Sequence, residues 1–499
     1  MMAGLRSYQF PVRGDAGLLL GLSATRLAAI GMCGVVFVVV MAMQTAIVLT
    51  LGSAIIILLL AATFVRLGGR PAIEWVPVWL SFGWAAATRN TEFYRSPELA
   101  LPLPDAALDL PGELFGLELH EFAPGAGLSI ANPTPATYGV VRDVFRSRLV
   151  AICEVSGADF LFLDPDDAQA RISGWGATLD HLAQSLPELC RLQVVHTVAD
   201  GTLAPRTHEP TAAGGHDQTS PADSYAQVAA RAAAASQEHR LLVAVALETR
   251  AARRAIRQAG GGLIGAGTVL MDRAASVEET LRTAGLAVHG WLPARAIAAL
   301  LRSGFDPGDR SNLQARGDDV TTGGGVDPAV CGPTGVREQW SVLRHDRGWS
   351  TTLQVVGPPS RPVTGDFLQH LLIGVAAERR VSWLFVPTGT SQAERRAQSA
   401  QVSAEAEQAV RARWGFASSA RQRRQAGDAA RREAELVEGR TVYRVVWLVT
   451  VTATELAGLD VAVGHIEAAA RRCGLELSRL AGTQRQAAGF TLPLCRGAR

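Results

Sequence analysis

The residues best suited to chemistry do not assemble into a site by spacing. A glycine-rich run, GGGLIGAG at 260–267, has the composition of a phosphate-cradling loop. It follows a helical stretch rather than a strand, and its spacing is GxxGxG rather than GxGxxG, so it reads as a helix stop and turn. Asp164, Asp166 and Asp167 offer three carboxylates in DPDD. No EF-hand spacing or closing glutamate follows, and acidic residues at a helix start complement its dipole. The ten histidines form no HExxH; His239, His289 and His370 read as structural or surface residues. No GxSxG elbow occurs. The six cysteines, Cys33, Cys153, Cys190, Cys331, Cys473 and Cys495, show no CxxC pairing. Cys153 and Cys190 fall in or beside expected strands and read as buried thiols. The run RQRRQAGDAARREAELVEGR at 421–440 has arginines for phosphate, but Asp428, Glu433, Glu435 and Glu438 lie among them. A solvated helix with i,i+4 ion pairs explains that pattern, and direct nucleic-acid contact is not expected. No catalytic, cofactor or metal site is expected.

Composition excludes more. The sequence contains no lysine, so all 48 basic residues are arginine. A Walker A loop needs a lysine on the β/γ-phosphates, a protein kinase needs its strand lysine, and a Schiff base needs a lysine amine. A formal net charge of +2 argues against a nucleic-acid surface spread over the whole chain. Scattered cysteines fit free thiols in a reducing cytoplasm.

The element that must place everything else is Leu27 to Val65, which holds no charged residue. A membrane helix needs about 20 apolar residues to cross roughly 30 Å of hydrocarbon. One helix over this stretch would be about 58 Å long, so two short spans turning at Met43–Ala46 are expected. Arg6, Arg13 and Arg26 precede the first span, and Arg66, Arg70 and Arg89 follow the second. The positive-inside rule places both termini and the soluble region in the cytoplasm of an inner-membrane protein with two spans. Close approach of membrane helices relies on small residues, supplied here by Gly31, Gly34, Gly52, Ser53 and Ala54. Beyond the spans, Trp75, Trp79 and Trp84 stand near Arg70 and Arg89. Together with Arg26 and Arg66 they read as anchors at the membrane–water interface.

The fold class expected is α+β: a two-helix transmembrane hairpin followed by two weakly duplicated α+β units. A cytoplasmic arm covers 1–26, the hairpin 27–65, and an interfacial helix with a Pro- and Asp-rich linker 66–113. The first unit covers 114–305, with strands at 115–122, 137–141, 148–157, 160–164 and 191–199 and a central strand at 239–250. Its helices are expected from Asp164, at 224–239, at 266–284 and over ARAIAALLRSGF. A Gly- and Asp-rich stretch at 306–340 reads as a flexible linker. The second unit covers 341–499, with strands at 348–357, 379–388 and 439–453 and helices at GDFLQHLLIGVAAE, 391–438 and 454–472. The two units end alike, LRTAGLAVHGWLPARAIAALLRSGF against ARRCGLELSRLAGTQRQAAGF, which suggests an internal repeat.

The YQFP arm, the tight hairpin and the GRPAIEWVPVWL elbow resemble the PrgI-like membrane proteins of actinobacterial conjugation and type IV secretion-like loci. TYGVVRD, VSGADFLFLDPDDAQARISGWGATLDHLA, ASQEHRLLVAVALET and AGFTLPLCRG are similar to the larger family in which a domain follows that hairpin. That domain resembles the N-terminal part of conjugation ATPases. Such ATPases continue into a motor with a Walker A lysine, which this chain lacks. The resemblance therefore implies a non-enzymatic scaffold that docks a conjugation-type ATPase in trans, within the lipid bilayer and with probable self-association. A second resemblance is to EccE, a type VII secretion membrane subunit with two N-terminal spans and a cytoplasmic domain. A membrane-anchored enzyme is the rival from another class, and would need a convergent polar cleft.

Overall fold

The computed structural model describes residues 7–10, 24–43, 45–67, 70–95, 106–123, 137–157, 164–200, 237–315, 324–389, 427–428, 430–431, 434–436 and 438–497. The chain opens with two apolar helices, α1 (Ala24–Met43) and α2 (Ala46–Phe64), folded as a hairpin. A small two-stranded turn follows, β1 (Arg66–Leu67) with β2 (Arg70–Pro71), and then α3 (Val76–Ala87).

The remaining strands form one sheet, 13-stranded among the described residues. They are β3 (Glu92–Tyr94), β4 (Leu117–Phe122), β5 (Tyr138–Asp143), β6 (Arg148–Gly157), β7 (Leu189–Asp200), β8 (Gln237–Glu248) and β9 (Leu286–Trp291). The later ones are β10 (Gly335–Glu338), β11 (Leu343–His345), β12 (Gly348–Gly357), β13 (Arg379–Pro387), β14 (Tyr443–Ala453) and β15 (Glu476–Arg479). Their order is β3-β10-β11-β12-β14-β13-β7-β8-β6-β5-β4, with β9 on β6 and β15 on β12. Every pairing is antiparallel.

The helices of this body are α4 (Pro165–Ser185), α5 (Arg253–Gln258), α6 (Gly262–Thr283), α7 (Ala294–Phe305), α8 (Arg310–Ala315), α9 (Gln369–Leu372), α10 (Leu456–Arg472) and α11 (Gln484–Phe490). Both faces of the sheet are covered, which explains the near-continuous apolar runs of the central strands. Along β8, Leu242, Ala244 and Ala246 face one core, while Val243, Val245 and Leu247 face another. The first core runs under α7, α11 and the tail at Leu492–Cys495, and draws on both halves of the sheet. On the opposite face, α4, α5 and α6 cover the first half, and α10 with α9 covers the second. The amphipathic period is plain in α7, where Ala294, Ile297, Ala298, Leu301 and Phe305 are buried.

The mixed α+β architecture expected from the sequence is present, but its two halves are not separate bodies. Strand β7 of the first half pairs with β13 of the second from Phe385↔Leu192 to Arg379↔Val198. Each half places a long strand, β8 or β14, beside two others, β6 and β7 or β12 and β13. The first half then runs through α5 and α6 and the second through α10, with a positive-φ glycine, Gly285 or Gly474, after the last of these helices. A short strand and a helix closing in Gly-Phe complete each half.

Residues 306–340, read from the sequence as a flexible linker, contribute α8, β10 and buried Leu313, Val326, Cys331 and Val336 to the first core. Leu108 and Leu110, from the Pro- and Asp-rich stretch at 95–113, are buried there too. The helix expected over GDFLQHLLIGVAAE is cut to the single turn of α9. Beyond that turn the wholly buried Arg379 donates from its guanidinium to the carbonyls of Leu371, Leu372, Val375 and Ala377, satisfying acceptors that a longer helix would have bonded. Of the strand expected at 160–164 and the helix expected at 224–239, the described residues are Asp164, the N-cap residue of α4, and 237–239, which open β8 instead of ending a helix. Most of the helix at 391–438 lies outside the described residues.

The β7–β13 seam is closed by a buried side chain. Gln193 is fully buried and donates to the Ser382 hydroxyl at 2.8 Å and the Phe490 carbonyl at 2.9 Å. Its own oxygen accepts from the Cys495 backbone N–H at 2.7 Å. Replacing one partner of a buried hydrogen bond strands the others, at about 1–3 kcal/mol each. Gln193→Leu should therefore destabilise the protein by about 2–4 kcal/mol, read as a lower denaturation midpoint of detergent-solubilised protein. An unchanged midpoint would show that the seam does not depend on this side chain.

Candidate functional site: the apolar hairpin and its junction with the sheet

The residues with chemical potential are used to build the fold. In the glycine run, Gly260, Gly261 and Gly262 take positive φ at the start of α6. Gly267 lies where a Cβ would fall 2.8 Å from the Phe122 ring, so the run is a turn with a close contact. Asp164 is the N-cap residue of α4, with Asp166 and Asp167 in its first turn. Among the described residues no cluster suited to a metal ion occurs. Of the run at 421–440, Arg421, Arg423, Arg424, Arg432 and Glu433 lie outside the described residues; Arg431 and Arg440 are exposed.

The six cysteines are free. Burial raises the thiol pKa of Cys153, Cys190, Cys473 and Cys495, and brings that of Cys331 to about 12. These five are protonated, poor nucleophiles at neutral pH.

A His–Ser pair that the sequence did not reveal sits under the β11–β12 hairpin. His345 donates from Nδ1 to the Phe305 carbonyl, and its Nε2 accepts from the Ser350 hydroxyl at 2.6 Å. Ser350 in turn lies 2.9 Å from the Thr452 hydroxyl. A base beside a hydroxyl is the beginning of a nucleophile relay. Here both residues are 1% exposed, and burial pushes the imidazole down to about 4. The pair is a neutral tie between α7 and the sheet. An ionic knot reinforces it: Arg302 reaches Asp306 at 3.0 Å and Asp346 at 2.9 Å, and Arg347 reaches Asp306 at 3.0 Å. His289 bonds Ser156 at 2.7 Å across β6 and β9. His239 stands beside His196 on β7 and β8, where burial lowers His196 to about 4. His370 is exposed at the end of α9.

The feature without a use inside the fold is the hairpin. Arg26–Met43 and Ile47–Phe64 are each long and apolar enough to cross a membrane, and only 17% and 11% of them is buried. A core helix of a soluble protein would be mostly covered. Instead Met32, Val35, Phe37, Val38, Leu51 and Ile57 point outward, all more than half exposed. The seam is narrow, with Ala29, Cys33, Val36 and Val40 on α1 facing Val48, Gly52, Ile56, Leu59 and Thr63 on α2.

The small residues singled out from the sequence divide between two positions. A Cβ at Gly52 would fall 2.0 Å from a methyl of Val40, so Gly52 closes the hairpin. Gly31 and Gly34 would meet nothing within 4 Å. Ser53 is also exposed, its hydroxyl turned back to the Thr50 carbonyl at 3.0 Å.

The expected interfacial anchors divide as well. Arg26 is half-buried near the start of α1, while Arg66 and Arg70 lie in the β1–β2 turn. Trp79 and Trp84 are exposed on α3. Trp75 is not; it sits in a 3-10 turn before α3, with its ring 6.1 Å from Trp340 of the body. Strand β3 then joins the sheet by pairing with β10. The N-terminal arm is held too, since Tyr8 and Val363 exchange backbone hydrogen bonds of 2.7 and 2.8 Å. The Tyr8 hydroxyl donates to Gln169, and Phe10 meets Phe367 edge-on.

Residues 235–355 match the model of EccE, the type VII ESX secretion system translocon family. The match covers about a quarter of the chain and runs from β8 to β12, including the ionic knot and His345. No curated protein matches the chain. The match and the exposed hairpin support a membrane subunit of a secretion apparatus. They favour the EccE resemblance over the PrgI-like one.

Gly52 and the outer glycines should respond differently to bulk. Gly52→Ile drives a side chain into Val40 and should cost about 1–3 kcal/mol, as overpacking does. It is expected to lower the thermal midpoint of the protein in detergent. Gly31→Ile and Gly34→Ile enter open space and should leave that midpoint unchanged. Equal losses at all three positions would contradict the packing described.

Proposed function

We propose that the chain is a non-enzymatic, membrane-embedded scaffold subunit of a type VII secretion translocon, similar to EccE. The observation that carries this reading is an exposed apolar hairpin built into a large sheet whose central segment matches that family. The sequence holds no lysine for a Walker A loop, which supports a role without ATP hydrolysis of its own. Energy for transport would then come from a separately encoded ATPase bound in trans, of the FtsK-like kind expected of type VII machinery.

The hairpin would cross the inner membrane twice, with both termini and the sheet in the cytoplasm. The arginines flanking the spans support that direction, as does the docking of Tyr8 onto Val363 of the body. Gly31, Gly34 and Ser53 lie on outward faces of the hairpin and supply small residues where a neighbouring subunit or second copy would pack.

Crosslinking in native membranes, followed by purification and identification of partners, tests the assignment. An FtsK-like secretion ATPase and further translocon subunits are expected, with no ATP turnover by the chain alone. Recovery of a conjugation-type ATPase would move the chain to the PrgI-like reading. ATP turnover by the pure chain, lost on a point mutation, would overturn the scaffold reading altogether.

A further inference from the structure

Helix α3 has two apolar faces, and the structure covers only one. On the covered face, Phe82 stands edge-on to Trp340 with ring centres 5.3 Å apart. Val78 lies against Gly482, where a Cβ would fall 2.9 Å from its methyl. On the opposite face Val76, Trp79, Leu80 and Trp84 are 41%, 50%, 69% and 75% exposed. The sequence of α3, VPVWLSFGWAAA, contains no charged residue, so neither face suits bulk water.

The position of α3 says what meets the open face. The Ala72 N–H bonds the Val65 carbonyl at 2.8 Å, folding the connection back onto the end of α2. The 3-10 turn Ala72–Trp75 packs against both hairpin helices and leads directly into α3. The helix therefore starts at the mouth of the hairpin. Exposed apolar surface continues from Phe64 and Val65 at the end of α2 to Val76, Leu80 and Trp84. Amphipathic tryptophan rings are enriched at the level of lipid headgroups, and the open face of α3 presents two of them, Trp79 and Trp84.

We propose that α3 rests on the same phospholipid bilayer that the hairpin enters. Val76, Trp79, Leu80 and Trp84 insert at the boundary of headgroups and acyl chains. The other face of α3, through Trp340, and the strand β3 that follows it hold the β3–β10 edge of the sheet against the lipid. The sheet is thus mounted at a fixed attitude rather than tethered. Because α3 carries no charge, the contact is apolar and independent of salt, unlike the screened attraction of a polybasic segment. This inference rests on the hairpin spanning the membrane.

Full-length protein in vesicles of phosphatidylcholine brominated high on its acyl chains provides the test. Tryptophan emission should be quenched, and the quenched fraction should fall in the Trp79→Phe/Trp84→Phe variant. That fraction should not fall in Trp383→Phe/Trp447→Phe or at high salt. Equal quenching with and without Trp79 and Trp84 would place the face in water and overturn the proposal. So would efficient crosslinking of Leu80→Cys between copies, which would assign the face to a second chain. Alkaline carbonate extraction separates the two levels. Protein released from the vesicles sinks the membrane hairpin and α3 with it, whereas retained protein with no loss of quenching sinks α3 alone.

Discussion

The antiparallel pairing of β7 with β13 is the contact on which the rest of the soluble body depends. Seven residue pairs, from Phe385↔Leu192 to Arg379↔Val198, convert two sets of strands into one sheet. Without it each half would present an unpaired edge, a row of open N–H and C=O groups prone to illicit pairing. The C-terminal tail then locks the seam. Cys495 gives its N–H to Gln193, while its carbonyl accepts from Arg191 at 3.0 Å. The neighbouring Arg496 pairs with buried Asp143 at 2.9 Å. Residues at the end of the chain thus hold strands from its first half, and the shared core under α7 and α11 follows from that closure.

Arginine does much of this work, in a chain that has no other basic residue. A planar guanidinium with five donors can satisfy several carbonyls at once. Arg379 does so while wholly buried, and desolvation lowers its pKa to about 10 without removing its charge at neutral pH. Arg302 and Arg347 knot α7 to the β11–β12 hairpin through Asp306 and Asp346. Threonine ladders extend the same economy, with Thr450 bonded to both Thr352 and Thr491 inside the sheet. His345, Ser350 and Arg379 are among the polar side chains that tie the described elements together. Among the described residues, exposed large apolar side chains gather on the outside of the hairpin and on one face of α3.

Much of this was legible in the sequence because burial on both faces leaves a strong local imprint. The strands RLVAICEVSG and GWSTTLQVVG and the helix ARAIAALLRSGF fall at the expected residues. The hairpin and its turn are equally plain, since an uncharged apolar run of this length marks candidate membrane spans. What the sequence could not show is long-range. No local pattern announces that β7 will meet β13, that Cys331 in a glycine-rich stretch will reach the core, or that Arg379 will bond the carbonyls at and beyond the end of α9. Nor does spacing separate Trp75, turned to Trp340, from Trp79 and Trp84, turned outward, or Gly52 from Gly31 and Gly34. Those distinctions depend on which face of a helix meets a partner hundreds of residues away.

On the proposed reading the sheet, α3 and the hairpin form one fixed mount, and the most direct measurement is cryo-electron microscopy of the full-length chain in lipid nanodiscs. A fixed mount predicts that the sheet and the bilayer average in one alignment, with α3 at the lipid surface and the β3–β10 edge lowest. A sharp bilayer with the sheet blurred over many orientations, or two separately moving halves on either side of β7–β13, would contradict it.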